Sequence, residues 1–465
     1  MQDLKLPVAV IGAGPVGLAA AAHLVERGLQ PLILEKGTSV GAAVLEWGHV
    51  RVFSPWMYNI DDAARRLLET RGWKAPDADV LPTGREIVEQ YLAPLSRVPQ
   101  IASGLKLGST VTAITRRGLS KVGSKGRDGA PFVIRYERDG ITENVLVGAV
   151  IDASGTWDQP NPLGIDGLPI PGEGWSSHLS YGIPDVTGAR RAEFIGRRTL
   201  VVGSGHSAIN VVMALMELQN ADPATKIFWA LRHDGVERLL GGGLNDRLPA
   251  RGALGLAAKK AIAEGRLTLL TSFSADAITA DGGPAVLATA NGEAIRLHVD
   301  QIVVATGFRP DFSFLRELRI AVDPIVEAPP ALAPLIDPNL HSCGTVPPHG
   351  VLELSHPEKD FYIVGMKSYG RAPTFLMKTG YEQVRSVVAD IAGDHEAARR
   401  VELVLPETGV CSVTLSSGSS AGCCGGPATT RSDACCVADA VAKDEGKSGC
   451  GCGSKAAPEK AVERA

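Results

Sequence analysis

The sequence predicts an α/β protein with two Rossmann-like dinucleotide-binding domains, one inserted in the other, and a disordered cysteine-rich tail at the C-terminal end. Three observations carry this prediction. A glycine loop, Gly12-Ala13-Gly14-Pro15-Val16-Gly17, lies between a short apolar strand and an alanine-rich helix. A second loop, Gly203-Ser204-Gly205-His206-Ser207-Ala208, occupies the same setting. After about residue 406 the composition turns to Ser, Gly, Ala and Thr, and aromatic residues disappear.

The first loop follows "PVAVI", residues 7–11, which reads as a buried strand. "LAAAAHLVERG" continues as a helix ending near Gly28, and "PLILE" is a second strand that ends at Glu35. Strand, turn, helix and strand form the unit that a dinucleotide fingerprint requires. Gly12 permits the tight turn, Gly14 and Pro15 bring the backbone up to a pyrophosphate, and Gly17 lets helix and strand approach closely. The free N–H groups of the helix N-terminus favour phosphate. Glu35 stands about 20 residues on, where an acid is expected to accept a ribose hydroxyl.

The second loop follows the strand of residues 199–202, and Ala208 takes the place of the last glycine. Gly203, Gly205, His206, Ser207 and Ala208 are the expected nucleotide contacts. The next strand, "KIFWALR", ends in Arg232 with His233 beside it and carries no carboxylate at the ribose position. An arginine there suits a 2′-phosphate, so NADPH is expected over NADH.

A site this near the N-terminus, followed by Glu35-Lys36-Gly37, resembles the FAD site of two-dinucleotide-domain flavoproteins, which implies FAD on the first loop with Lys36 beside it. "AVIDASGTWDQPNP" and "QIVVATGFRPD" resemble the crossover strands of that superfamily, each a strand (residues 149–153 and 301–305) followed by Ser154-Gly155 or Thr306-Gly307. They imply an FAD-binding domain in two parts, residues 1–164 and 300–405, an inserted NADPH-binding domain at 165–299, and a tail at 406–465. "DFYIVGMKSYGRAPTFLMKTGYEQ" looks like the last FAD-domain strand, with Gly365 at the cofactor and a long helix starting near Pro373.

The resemblance narrows further. Disulfide reductases of this architecture carry a reactive cysteine pair in the core, and residues 1–342 contain no cysteine. They also carry Gly-Asp in the last FAD strand, where this chain has Gly365-Met366. Gly174, His178 and Tyr181, ahead of the second loop, are similar to the linker signature of class B flavin monooxygenases, although Gly172 stands near where a phenylalanine is expected and the aromatic comes one residue early. This resemblance implies an FAD-containing, NADPH-dependent, monooxygenase-like oxidoreductase in which NADPH reduces the flavin and dioxygen is then used on a soft nucleophile. Catalytic residues are not legible; Asn59, in "FSPWMYNIDD", and His178 are the candidates. The glycine-rich stretch of residues 239–255 is read either as a lid bringing Arg247 and Arg251 to the cleft or as a surface loop.

Seven of the eight cysteines lie in the tail, at Cys411, Cys423, Cys424, Cys435, Cys436, Cys450 and Cys452. The composition cannot bury a core. The three close pairs point to metal binding or redox work, and without zinc-finger spacing or histidines they suit thiophilic ions. The tail resembles Cys-Cys-Gly-Gly endings of bacterial arsenic-handling proteins, which implies a metalloid on the pairs 423/424, 435/436 and 450/452 and a role in arsenic resistance. Two alternatives stay open: an NADPH-dependent reductase that uses tail cysteines as a mobile dithiol, and a non-enzymatic metalloid chaperone or sensor.

A net charge of −4 argues against a nucleic-acid partner. The basic run of residues 116–127, broken by glycines, reads as a solvated hairpin loop. With neither a signal peptide nor a membrane-spanning run recognised, a cytoplasmic protein without a membrane partner is expected. His341, Cys343, His349 and His356 have no known ligand spacing and read as loop residues near the cleft.

Overall fold

A computed structural model describes residues 6–234, 249–280, 284–340, 346–373 and 376–403. The Cys-rich tail, Arg247, His341, Cys343 and the side chain of Arg251 lie outside the described residues.

In chain order the strands are β1 (Val8–Ile11), β2 (Pro31–Leu34), β3 (Leu105–Lys106), β4 (Thr110–Arg116), β5 (Phe132–Arg138), β6 (Ile141–Val147), β7 (Ala149–Asp152), β8 (Leu179–Tyr181), β9 (Arg198–Val202), β10 (Lys226–Ala230), β11 (Thr268–Leu270), β12 (Ser274–Thr279), β13 (Ala285–Ala290), β14 (Glu293–His298), β15 (Gln301–Val304) and β16 (Phe361–Ile363). They form two parallel five-stranded sheets, ordered β16-β7-β1-β2-β3 and β11-β10-β9-β15-β8, and two antiparallel three-stranded sheets, β4-β5-β6 and β12-β13-β14.

Each parallel sheet is covered on both faces, which is why its strands read as unbroken apolar runs. Along β1 the side chains alternate. Val8 and Val10 join a core with Leu18 and Leu24 of the Pro15–Glu26 helix and Val384 of the Met377–Ile391 helix. Ala9 and Ile11 face Phe132, Ile134 and Leu315 instead. The second lobe repeats the plan. Val201 packs with Val212 and Leu215 of the His206–Ala221 helix, while Leu200 and Val202 meet Val286 and Ala288 of β13.

Strand β15 departs from the expected partition. The reading of residues 300–405 as the second part of the outer domain assigns it to the first lobe, yet β15 pairs with β9 and β8 and completes the second sheet. Leu163, expected in the first part, packs in a core of the second lobe. The chain therefore crosses at residues 153–162 and 305–309. There Asn161 N donates to Gly307 O at 2.9 Å, Arg309 N donates to Gln159 O at 2.9 Å, and Pro160 bridges Phe308. An apolar strand ending in Thr-Gly looks the same whichever sheet it joins, so the pattern alone could not place it.

The basic run of residues 116–127 also differs from expectation, because its two end arginines are buried. Arg116 and Arg127 clamp Glu358 at 2.8 and 2.7 Å, and the Arg116 guanidinium lies 3.6 Å from the Phe132 ring centre. The glycine breaks suggested solvent, but burial of Glu358 calls for cationic partners. The last long helix starts at Met377 rather than near Pro373, with residues 374–375 outside the described set. Among the described residues no helix is long and apolar enough to cross a membrane.

Candidate active site

The two glycine loops have the same construction. A Cβ added to Gly12, at φ +97°, would stand only 2.8 Å from Ala153 O, and one added to Gly203, at φ +138°, only 2.3 Å from Ala305 O. Each first glycine thus packs on the residue where its sheet hands over to a crossover. Gly17 is tighter: a Cβ there would stand 2.1 Å from Gly12 O. By contrast, Gly14 and Gly205 have no neighbour within 4 Å of that position. Both precede a helix, Pro15–Glu26 and His206–Ala221, with no side chain capping the N-terminus. Each therefore opens a space that side chains do not fill, bordered by helix N–H groups, which is the cradle a pyrophosphate needs.

Both cradles open on one cavity of about 1,520 Å³. Sites for single small molecules run to ~1,000 Å³, so the volume suits more than one. Of the residues expected at the cofactors, Gly12, Gly14, Pro15, Glu35, Lys36, Ser154, Gly155, Gly203, Gly205, His206, Ser207, Arg232, Thr306, Gly307 and Gly365 line it. Gly17 and Ala208 do not; they act in packing, and Ala208 is fully buried.

Glu35 is buried, and its carboxylate accepts from Ala13 N at 2.6 Å and Gly37 N at 2.7 Å. It therefore shapes the first loop and keeps lone pairs toward the cavity. Lys36 is ion-paired with Asp158 of the crossover. The Ser154-Gly155 turn is held from behind by Lys367, whose Nζ lies 2.7 Å from Asp152 Oδ2 and 3.2 Å from Ser154 Oγ, with Lys367 and Asp152 wholly buried.

The two catalytic candidates are not brought to the cavity. Asn59 is fully buried, its Nδ2 donating to Ser54 O at 2.7 Å and Pro55 O at 2.9 Å, while Tyr381 donates to its backbone oxygen. It ties a turn, because a side-chain amide can bond its own neighbouring backbone. His178 is exposed at the entrance to β8, outside the lining. Of its companions in the linker, Tyr181 donates to Glu173, which also accepts from Leu163 N and Ile170 N at 2.8 Å. Burial, then the Glu173 hydrogen bond, push the Tyr181 hydroxyl far above the usual range. Of the glycine-rich stretch, residues 249–255 belong to a helix, Pro249–Ala263, and the residues before them lie outside the described residues. His356 is half-buried beside Phe361, and loss of solvent around its imidazole lowers it to about 4. Among the described residues no group of His, Cys, Asp and Glu could hold a metal ion.

Several cavity residues gave no sequence signal. Trp157 and Phe308, one from each crossover, stack at 4.8 Å, and Trp157 Nε1 donates to Glu46 at 2.6 Å. Phe53 of the first lobe meets His206 of the second at 5.0 Å. Single aromatics in loops acquire meaning only when the lobes are assembled.

Residues 6–327 match the pyridine nucleotide-disulphide oxidoreductase family. The chain belongs to that family. FAD and NAD(P) are the cofactors of its flavin monooxygenase and thioredoxin reductase-like members, and the two cradles fit them. Flavin-containing monooxygenase 3 of Macaca mulatta is 25% identical over 214 residues, covering 45% of this chain and 37% of that protein. The chain thus spans little more than a third of the length of the curated monooxygenases it matches. Bacillithiol disulfide reductase of Bacillus cereus superposes with a TM-score of 0.61 at 19% identity, covering 84% of this chain and 99% of its own. Ornithine N-hydroxylase of Kutzneria does so at 0.57 and 16%, covering 85% and 100%. These two likenesses speak for the fold. The matched region contains no cysteine, so a redox-active disulfide cannot lie within it.

Proposed function

We propose that the protein is an FAD-containing, NADPH-dependent oxidoreductase of monooxygenase type, acting on a soft nucleophile or a metalloid held by the tail thiols. The observation that carries this is one cavity lined by both glycine loops in a chain whose first 342 residues hold no cysteine. When bound, the cofactor pair supplies hydride transfer from nicotinamide to flavin and, with dioxygen, one oxygen atom for the substrate and one for water. The chain's own residues bind and orient. Gly12, Gly14 and the Pro15–Glu26 helix take one pyrophosphate; Gly203, Gly205 and the His206–Ala221 helix take the other. Trp157 and Phe308 wall the crossovers against water. In this account the tail captures the metalloid through soft thiolates, consistent with a role in arsenic resistance.

Arg232, exposed at the cavity wall, is assigned the 2′-phosphate. Arg232→Ala is expected to raise the KM for NADPH about tenfold or more, the loss of a charge-assisted hydrogen bond, and to leave the KM for NADH unchanged. Steady-state kinetics with both nucleotides checks it; equal effects on the two would contradict the assignment. NADPH oxidation with and without arsenite, following oxygen and thiols together, tests the reaction class. Substrate-stimulated oxygen uptake supports the monooxygenase.

The family's disulfide chemistry favours a second reading, in which the tail cysteines form a mobile dithiol that exchanges electrons with the flavin. Anaerobic, NADPH-dependent change in tail thiols would support it. A chain truncated after Pro406 is expected to retain FAD and its reduction by NADPH under either reading, and loss of FAD would contradict the tail boundary.

A further inference from the structure

At the back of the cavity a closed hydrogen-bond circuit surrounds Gln383 of the Met377–Ile391 helix. Its side chain is fully buried and borders the cavity. Gly365 N donates to Gln383 Oε1 at 2.6 Å. Gln383 Nε2 donates to Ser368 Oγ at 2.9 Å and lies 2.8 Å from His349 Nε2. Ser368 Oγ donates to Gly365 O at 2.7 Å, and His349 Nδ1 lies 3.0 Å from Pro347 O.

The chemistry of the partners fixes every proton. A peptide N–H can only donate, so Gly365 requires the Gln383 oxygen and turns the amide nitrogen toward His349. A carbonyl can only accept, so Pro347 requires the proton on Nδ1. His349 Nε2 is then the acceptor of the Gln383 N–H, and the imidazole is neutral. A proton on Nε2 would set N–H against N–H, and flipping the amide would set NH₂ against the Gly365 N–H. The circuit closes only with neutral His349.

Gly365 is the cavity end of this circuit. At φ +67° it occupies the region that favours glycine, and a Cβ there would come 3.2 Å from Val16 of the first glycine loop. We infer that Gln383 is a positioning residue of the flavin site, holding the Gly365 turn against the first glycine loop, and that neutral His349 holds Gln383. This rests on the reading of the first loop as the FAD site.

Among the described residues, few groups face His349. Tyr369 lies 5.5 Å away, ring to ring. Glu353 faces it from the Val351–Leu354 helix, its carboxylate accepting from Gly350 N at 2.8 Å. Glu382 of the Met377–Ile391 helix is paired with Arg385 at 2.7 Å. Burial lowers the His349 imidazole below its ordinary value, against the Pro347 hydrogen bond and the two carboxylates. A histidine neutral in the assembled site and protonated when the site opens makes FAD affinity fall as pH falls through the ordinary histidine value.

The test is FAD binding to the apoprotein, read by flavin fluorescence from pH ~8 to ~5. The wild type is expected to bind at neutral pH and to weaken on acidification, with a limiting slope of about tenfold per pH unit. His349→Gln should flatten the profile. Gln383→Glu should flatten it too, because a carboxylate accepts from both Gly365 N–H and protonated His349. Gln383→Leu should weaken binding about tenfold at neutral pH. If that variant does not fold, the other two profiles decide. A wild type that binds FAD with no acid dependence, or a His349→Gln profile matching the wild type, overturns the inference. A wild type that binds no FAD at neutral pH contradicts the site reading instead.

Discussion

Replacing Gly17 by alanine is expected to give protein purified without FAD. The added Cβ would stand 2.1 Å from Gly12 O and 3.0 Å from Gly12 C, both backbone atoms of the loop that cradles the phosphates. No side chain can turn aside to admit it, so the helix must move off β1 or the loop must deform. Overpacking of this kind costs about 1–3 kcal/mol, and the displaced N–H groups lose their aim at the anion as well. FAD affinity should fall more than tenfold, measured as flavin absorbance per protein and by titration of the apoprotein. Gly14→Ala is the control. Its φ of −78° suits alanine and nothing lies within 4 Å of the new Cβ, so thermal stability should hold while the methyl intrudes on the cavity. FAD retained at wild-type affinity in Gly17→Ala would contradict the loop's role.

Glu358→Ala is expected to destabilise the first lobe by about 3–5 kcal/mol, the effect of removing one partner from a buried ionic cluster. Glu358 accepts from Arg116, Arg127 and the Arg319 N–H, joining the β4-β5 hairpin to the segment before β16. Without it two guanidiniums remain buried and uncompensated. Chemical denaturation measures the loss; a change under 1 kcal/mol would contradict the account. The cluster also predicts a direction with pH. Burial pushes the Glu358 carboxyl up, but hydrogen bonds from Arg127, the Arg319 N–H and Arg116 outweigh it, and the group is held below its usual 4.5. A depressed carboxylate contributes stability above its unfolded value and loses it as pH falls through the folded one. Acid unfolding of the wild type should therefore steepen below pH ~4.5, and the Glu358→Ala protein should show less of that loss.

Much of the nucleotide architecture was legible because its signals are local. A glycine loop between strand and helix depends on contacts within a few residues or with one neighbouring strand, and both loops fold as their spacing implied. The long-range parts were not legible. Strand β15 reads the same in either sheet, and only its register with β9 assigns it. Arg116 and Arg127 look like a solvated run until Glu358, more than 200 residues away, is placed between them. Asn59 stood near a plausible cleft segment, but its amide closes its own turn. Gln383 had no motif; its meaning comes from Gly365, His349 and Ser368 meeting around it. Local spacing thus indicates where dinucleotides bind, while the side chains that position them emerge only when distant segments pack together.

The central claim is that a nicotinamide bound at the second loop delivers two electrons to a flavin bound at the first. Anaerobic mixing of the purified, FAD-loaded protein with NADPH, followed by the flavin's visible absorbance, tests it most directly. Full bleaching is expected, slowed by Arg232→Ala, with the colour restored when air is admitted. A protein that holds FAD yet stays yellow with excess NADPH, or that takes up no FAD at all, would contradict it.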